Sequence, residues 1–345
     1  MRSLALVALS AAVVAVSLAA AATAADGEAS SKSPSDEAIR RSRDRGVERL
    51  VAMQQPDGSW GSGGFRGSVA VTANAVLAVV AAGSTPTSGP HADAAARGVA
   101  FLLESADEDG LFDSREQGSR GPMYGQAYAT LVLAELLGEI DSPSLPDVLA
   151  RSATLFEATQ NEEGGWRYQP RAGDADVSVT SAVVVAIAAL EKSGIAVSGR
   201  CVERAVAYLR RLQNEDGGFR YQASAGESAA PRTAAAIVAL YAAGESTNDK
   251  GRAAIARGIA WLESNPTELD PPNAYSLYGV TAETAAFWQA GGEPWRIFFG
   301  RTSERLLAAQ RPDGSWPDPS CPEYGTAAAV MALSVPDGLI PVFQP

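Results

Sequence analysis

The sequence predicts an all-α protein, a closed double ring of six helical hairpins, and three observations predict it. A glycine-bearing turn recurs at near-constant spacing, each copy is flanked by two helical patterns of different character, and the pair of patterns occurs six times. The clearest copies of the turn are QNEEGGWRY at residues 160–168 and QNEDGGFRY at 213–221. Weaker copies read QQPDGSW at 54–60, QRPDGSW at 310–316 and, degraded, DEDGLF at 107–112. Gly58, Gly110, Gly164 and Gly217 lie 52, 54 and 53 residues apart, and Gly314 follows after 97, close to two further periods. A fixed period of this size marks an array of supersecondary units.

In chain order, Met1 and Arg2 precede an apolar run from Leu4 to Ala22, and Ala22-Thr23-Ala24 offers small residues for cleavage before Asp26. That is the layout of a secretory signal peptide over residues 1–25, and it implies export to the periplasm or beyond the cell. The run is also long enough for an uncleaved anchor, although its alanines contribute little hydrophobicity; after cleavage no membrane span is expected. Residues 26–40 carry no apolar period and read as a disordered tether. Residues 41–340 are the ring.

The fourth hairpin shows what a repeat is made of. Residues 200–213, RCVERAVAYLRRLQ, put Val202, Ala205, Val206, Leu209 and Leu212 on one side and arginines on the other, which is an amphipathic outer helix. Residues 230–243, APRTAAAIVALYAA, are apolar nearly all round, as in a helix buried on both sides. The same pairing recurs at 42–54 with 69–82, 94–105 with 124–137, 149–160 with 177–191, 253–264 with 275–290, and 297–310 with 324–333. An open superhelix would expose one face of the inner row, and these rows are too rich in Ala, Val and Leu for that. All inner helices start at one mouth of the ring, so helix dipoles should make that mouth slightly positive and a ligand should enter there.

The repeated turn reads as a clamp, since a motif copied round a ring cannot all lie in one site. Glycines permit positive φ where a helix ends. The amides of Gln54, Gln160, Gln213 and Gln310 can bond polar groups at helix ends, and Trp60, Trp166, Phe219 and Trp316 pack on neighbouring hairpins.

Composition excludes several functions. A net charge of -12 with no basic stripe argues against nucleic-acid binding. The single histidine, His91, follows a Gly-Pro turn and reads as an exposed loop residue, so with two separated cysteines an N/S zinc site lacks ligands. No metal or cofactor is expected. Export would permit a disulfide, but Cys201 and Cys321 fall in repeats that are not neighbours.

A Gln, an acidic residue, glycine and then Trp or Phe after an outer helix resembles the QW repeat of squalene and hopene cyclases and protein prenyltransferase β subunits. The likeness covers residues 40–335 and implies an (α/α)6 toroid, close to small exported single-ring members of that superfamily. Squalene-hopene cyclases protonate an alkene with an aspartate of a DxDD motif. The nearest match here, Asp174-Ala175-Asp176-Val177, lacks the final acid. Asp176 also reads as an N-cap and Asp174 as a turn residue. Against the prenyltransferase pattern around Ala285–Gly291, the zinc-ligand positions hold Ala282, Thr284 and Gly325. No Lys, Arg or His lies between Trp261 and Trp295 to meet a diphosphate.

Candidates to line the hollow sit where inner helices start: Thr72, Asn74, Tyr124, Gln126, Tyr128, Ser178, Thr180, Arg232, Thr233, Tyr275, Tyr278, Glu283, Glu323 and Tyr324. They either satisfy one another or meet a ligand with an apolar body and a few polar points. The expectation is a toroid that binds an isoprenoid-like or other apolar, lipid-like molecule, without the residues of the classical enzymes. Two alternatives stand beside it. One is an acid-dependent enzyme using Asp174 and Asp176, with Glu283 or Glu323, on a terpenoid or a polysaccharide. The other is a scaffold whose acidic exterior meets a protein partner.

Overall fold

In the computed structural model, residues 34–112, 121–269 and 276–344 are described. The expected leader over 1–25, most of the tether and the candidate Tyr275 lie outside them. The described residues form twelve α-helices and no strand beyond isolated bridges. The outer helices are α1 (Asp36–Ala52), α3 (Ala92–Glu104), α5 (Leu145–Thr159), α7 (Gly199–Arg211), α9 (Asp249–Ser264) and α11 (Gly292–Ala309). Inner helices alternate with them: α2 (Val69–Ala81), α4 (Met123–Glu135), α6 (Val177–Lys192), α8 (Ala230–Ala242), α10 (Ser276–Ala290) and α12 (Pro322–Ser334).

Helix character follows burial. Of the residues of α2 only Ala70 escapes burial, whereas α7 buries Cys201, Ala205, Val206, Tyr208 and Leu209 and turns its arginines outward. The first helix starts earlier than its apolar period suggests. Residues 36–40, expected as tether, are helical, because Ser35 accepts a hydrogen bond from Ala38 N and Asp36 and Glu37 sit in the first turn, where the helix dipole favours acids.

The ring is closed. Inner helices pack in the order α2, α4, α6, α8, α10, α12 and back to α2. Each outer helix lies chiefly on the inner helix that precedes it in the chain, and α1 lies on α12. Gly46 of α1 lets this last contact form: a β-carbon there would come within 2.7 Å of both Trp316 and Val330.

The repeated turns tie neighbouring hairpins together. Nε2 of Gln54, Gln160, Gln213 and Gln310 donates to the carbonyl of the turn glycine four residues on, at 2.9–3.0 Å. The same nitrogens donate to Ala94 O, Cys201 O, Ala254 O and Ser42 O on the next outer helix, at 2.8–2.9 Å. The Gln310 bond to Ser42 joins the last turn to the first helix. Trp60, Trp166 and Trp316 are fully buried, and their indole N–H groups donate to Leu50 O, Phe156 O and Leu306 O at the ends of outer helices. The turn glycines Gly58, Gly164, Gly217 and Gly314 have φ of 87–97°, and a β-carbon at any of them would strike an arginine carbonyl of the next outer helix at 2.4–2.7 Å.

Candidate functional site

One position on each inner helix reaches back to hold the preceding turn. Backbone N–H groups of Trp60, Phe112, Trp166, Phe219, Thr267 and Trp316 donate to the side chains of Thr72, Gln126, Thr180, Thr233, Glu283 and Thr326, at 2.9–3.2 Å. These N–H groups are buried and would otherwise lack a partner. Thr72, Gln126, Thr180, Thr233 and Glu283, expected at the hollow, therefore face their turns, and neither they nor Ser178 line the cavity. Glu283 is the one carboxyl of the six. Burial pushes it up to about 7, opposed by hydrogen bonds from Thr267 N and Oγ1.

The cavity occupies the centre of the ring, and every inner helix contributes to it. Its empty volume is ≈ 960 Å³, counting the part open to solvent. Leu77, Leu131, Val185, Val238 and Met331 form much of its wall, with Tyr128, Tyr278 and Tyr324 near the inner-helix N-termini. No Asp, Glu, Lys, Arg or His is among its described lining residues. Its far end is met by the segment after α12, where Val335, Leu339, Ile340, Phe343 and Gln344 also line it. That segment is tied down by an Arg43–Asp337 ion pair, by Lys192 Nζ donating to Pro341 O at 2.9 Å and by Trp288 Nε1 donating to Gln344 Oε1 at 3.3 Å.

The tyrosines converge from three helices. Tyr124 stacks on Tyr128 with ring centroids 6.2 Å apart and meets Tyr168 at 6.1 Å. Burial raises the phenols of Tyr124, Tyr278 and Tyr324 well above the usual value and pushes Tyr128 up to about 12, so all four keep their protons at neutral pH. Tyr128, Tyr278 and Tyr324 are half-buried because they face the hollow, whereas Tyr124, also expected there, packs between Tyr128 and Tyr168 and is not part of the lining.

Asp176 caps α6: Oδ1 accepts from Ser178 N and Val179 N, both at 2.9 Å, and the side chain is fully buried. Its Oδ2 lies 3.9 Å from Arg167 Nε, with the Tyr221 hydroxyl nearby. Burial raises this carboxyl, against the pull of the helix amides and Arg167. Asp174 is half-exposed, ion-paired with Arg167 and accepts from Gln222 Nε2 at 2.9 Å. Neither aspartate lines the cavity.

The remaining candidates serve the rim. Arg232 donates to Phe219 O at 3.0 Å and Glu227 O at 2.6 Å, so its guanidinium is engaged by backbone and does not line the hollow. Glu323 is buried and accepts from Ser62 Oγ at 2.9 Å, which places it outside the cavity lining as well. At the mouth where the inner helices start, several first-turn N–H groups are engaged or absent. Ser68 and Asp176 cap α2 and α6, Tyr168 O accepts from Met123 N, and Pro231 and Pro322 open α8 and α12 without an N–H.

Sequence reasoning missed Ser181, the segment 335–344 and the pair Tyr168 and Tyr221, whose hydroxyls lie 2.6 Å apart. The pair carried a signal: both follow Arg at the end of the two best repeats. Among the described residues no three His, Cys, Asp or Glu side chains gather as a metal group would. Cys201 and Cys321 are buried free thiols, pushed up to about 11 and about 12. No described helix is long and apolar enough to cross a membrane.

Residues 124–271 match the squalene-hopene cyclase C-terminal domain family. A drimenyl diphosphate synthase from Streptomyces showdoensis is 28% identical over 185 residues, 53% of this chain and 32% of its own length. The chain thus spans about a third of the length of the curated relatives it matches. Among solved structures, the type II terpene cyclase MstE from Scytonema superposes with a TM-score of 0.61 at 19% identity, over 89% of this chain and 100% of that one. A cellobiose 2-epimerase from Bacillus thermoamylovorans superposes with a TM-score of 0.64 at 10% identity, over 87% and 100%. These likenesses establish the (α/α)6 toroid, and over residues 124–271 the chain is similar to the squalene-hopene cyclase C-terminal domain.

Proposed function

We propose that this squalene-cyclase-like toroid is exported and holds an isoprenoid-like or other apolar molecule in the hollow of its inner ring. The lining carries the reading: an aliphatic wall drawn from six helices, with few polar groups and no charged one among the described lining residues. That mixture suits a ligand with an apolar body and sparse polar points. Export rests on the apolar run from Leu4 to Ala22. The larger cyclases' chemistry is read as not retained, because DxDD lacks its last acid and Asp176 commits one oxygen to a helix cap. Native mass spectrometry of protein from its own source, before and after exposure to a lipid extract, tests the reading. A bound apolar mass is expected, and a chamber that stays empty in both samples overturns it.

One observation favours a catalytic variant of the same site. Asp176 is a buried carboxyl whose second oxygen, outside the helix cap, lies near Tyr221, an arrangement that could deliver a proton. If it does, Asp176→Asn keeps the fold and the bound molecule but abolishes its conversion.

A further inference from the structure

The cavity has a chemically distinct end, and its chemistry restricts the ligand beyond the reading above, on which this inference rests. Ser181 of α6 is 2% exposed and lines the hollow, and its Oγ has no hydrogen-bond partner. An orphaned buried hydroxyl is costly unless something meets it. Tyr128 and Tyr324 line the same hollow, and no hydrogen bond engages their hydroxyls among the described residues. Other polar groups in the lining have partners: Asn74 Nδ2 donates to Ala70 O at 2.8 Å, Thr281 Oγ1 to Leu277 O at 2.8 Å and Ala328 O at 3.0 Å, and the Tyr278 hydroxyl meets Ser178. Three free hydroxyls from three helices thus meet one hollow.

No cation accompanies them. The nearby guanidiniums are committed, Arg167 to Asp174 and Arg232 to two backbone carbonyls, and no Lys, Arg or His is among the described lining residues. Asp176 and Glu323, buried near this end, would add negative charge when ionised. A diphosphate placed here would lose its hydration with nothing to balance it. We infer that the cavity selects an uncharged amphiphile, a long apolar chain ending in a hydroxyl or carbonyl that bonds Ser181, Tyr128 and Tyr324, and rejects the corresponding diphosphate.

Calorimetric titration of the full chain with geranylgeraniol, geranylgeranyl diphosphate and a hydrocarbon of equal carbon number tests this. The alcohol should bind at least tenfold tighter than the diphosphate. Ser181→Ala should weaken the alcohol roughly three- to tenfold, the loss of one hydrogen bond, and leave the hydrocarbon unchanged. The same variant without ligand should melt no lower than the parent, since it removes an unsatisfied group; Tyr128→Phe gives a second reading if it does not fold. A diphosphate that binds as well as the alcohol, or an alcohol that binds no better than the hydrocarbon, overturns the head-group assignment alone. Failure of all three to bind overturns it together with the proposed function.

Discussion

Glu283 stands where four other inner helices have Thr and one has Gln, and the difference sets a pH dependence. Burial raises it from 4.5 to about 7, so across that interval the folded chain keeps a proton that the unfolded chain loses. Stability should therefore fall as pH climbs from 4.5 to 7 and then level off, by at most about 3 kcal/mol. Glu283→Gln copies the arrangement of Gln126, whose Oε1 accepts from Phe112 N. It should flatten the slope, raising the melting temperature at pH 8 and leaving it near the parent's at pH 4. Asp176 makes a second comparison. As a cap, Asp176→Asn should change stability by under about 0.5 kcal/mol, while Asp176→Ala should cost about 1–2 kcal/mol in denaturant unfolding. Which of these side chains faces the hollow could not be read from the sequence. Gln126 and Tyr128 lie two residues apart, Thr180 and Ser181 only one, and helices apolar all round carry no polar stripe to mark the inward side.

At the scale of the element, the turn acts through both its glutamine and its glycine. Gln213→Ala removes two hydrogen bonds to carbonyls, one in its own turn and one on α9, and should cost about 1–3 kcal/mol. Gly217→Ala should cost more than Gly194→Ala by urea unfolding. Both glycines have positive φ, but a β-carbon at 217 would lie 2.7 Å from Arg257 O, while at 194 it meets nothing within 4 Å. The turn was legible because it is copied, and copying separates a clamp from a unique site. The fifth turn was the hardest to read, because its NPTELDPPN has neither the glutamine nor the glycine of the repeat, although Thr267 N still clasps Glu283. The segment 335–344 was invisible for a related reason. It has neither period nor repeat, and its place in the cavity follows from anchors as far off in sequence as Arg43 and Lys192.

For the whole molecule, removing residues 338–345 should leave helical content intact, since the twelve helices and their clamps end before it. It should uncover the lower end of the chamber, giving stronger binding of a hydrophobic dye. Ring closure has a further consequence, in time rather than in space. The apolar side of α1, with Val47 and Leu50, finds its cover on α12, and the bond from Gln310 to Ser42 spans 268 residues. While the chain is being made, that side waits uncovered for most of the synthesis. The seam between first and last helix should accordingly be the slow step of refolding, reported by Trp316 against Gly46, and the half-closed chain is the species most prone to clump.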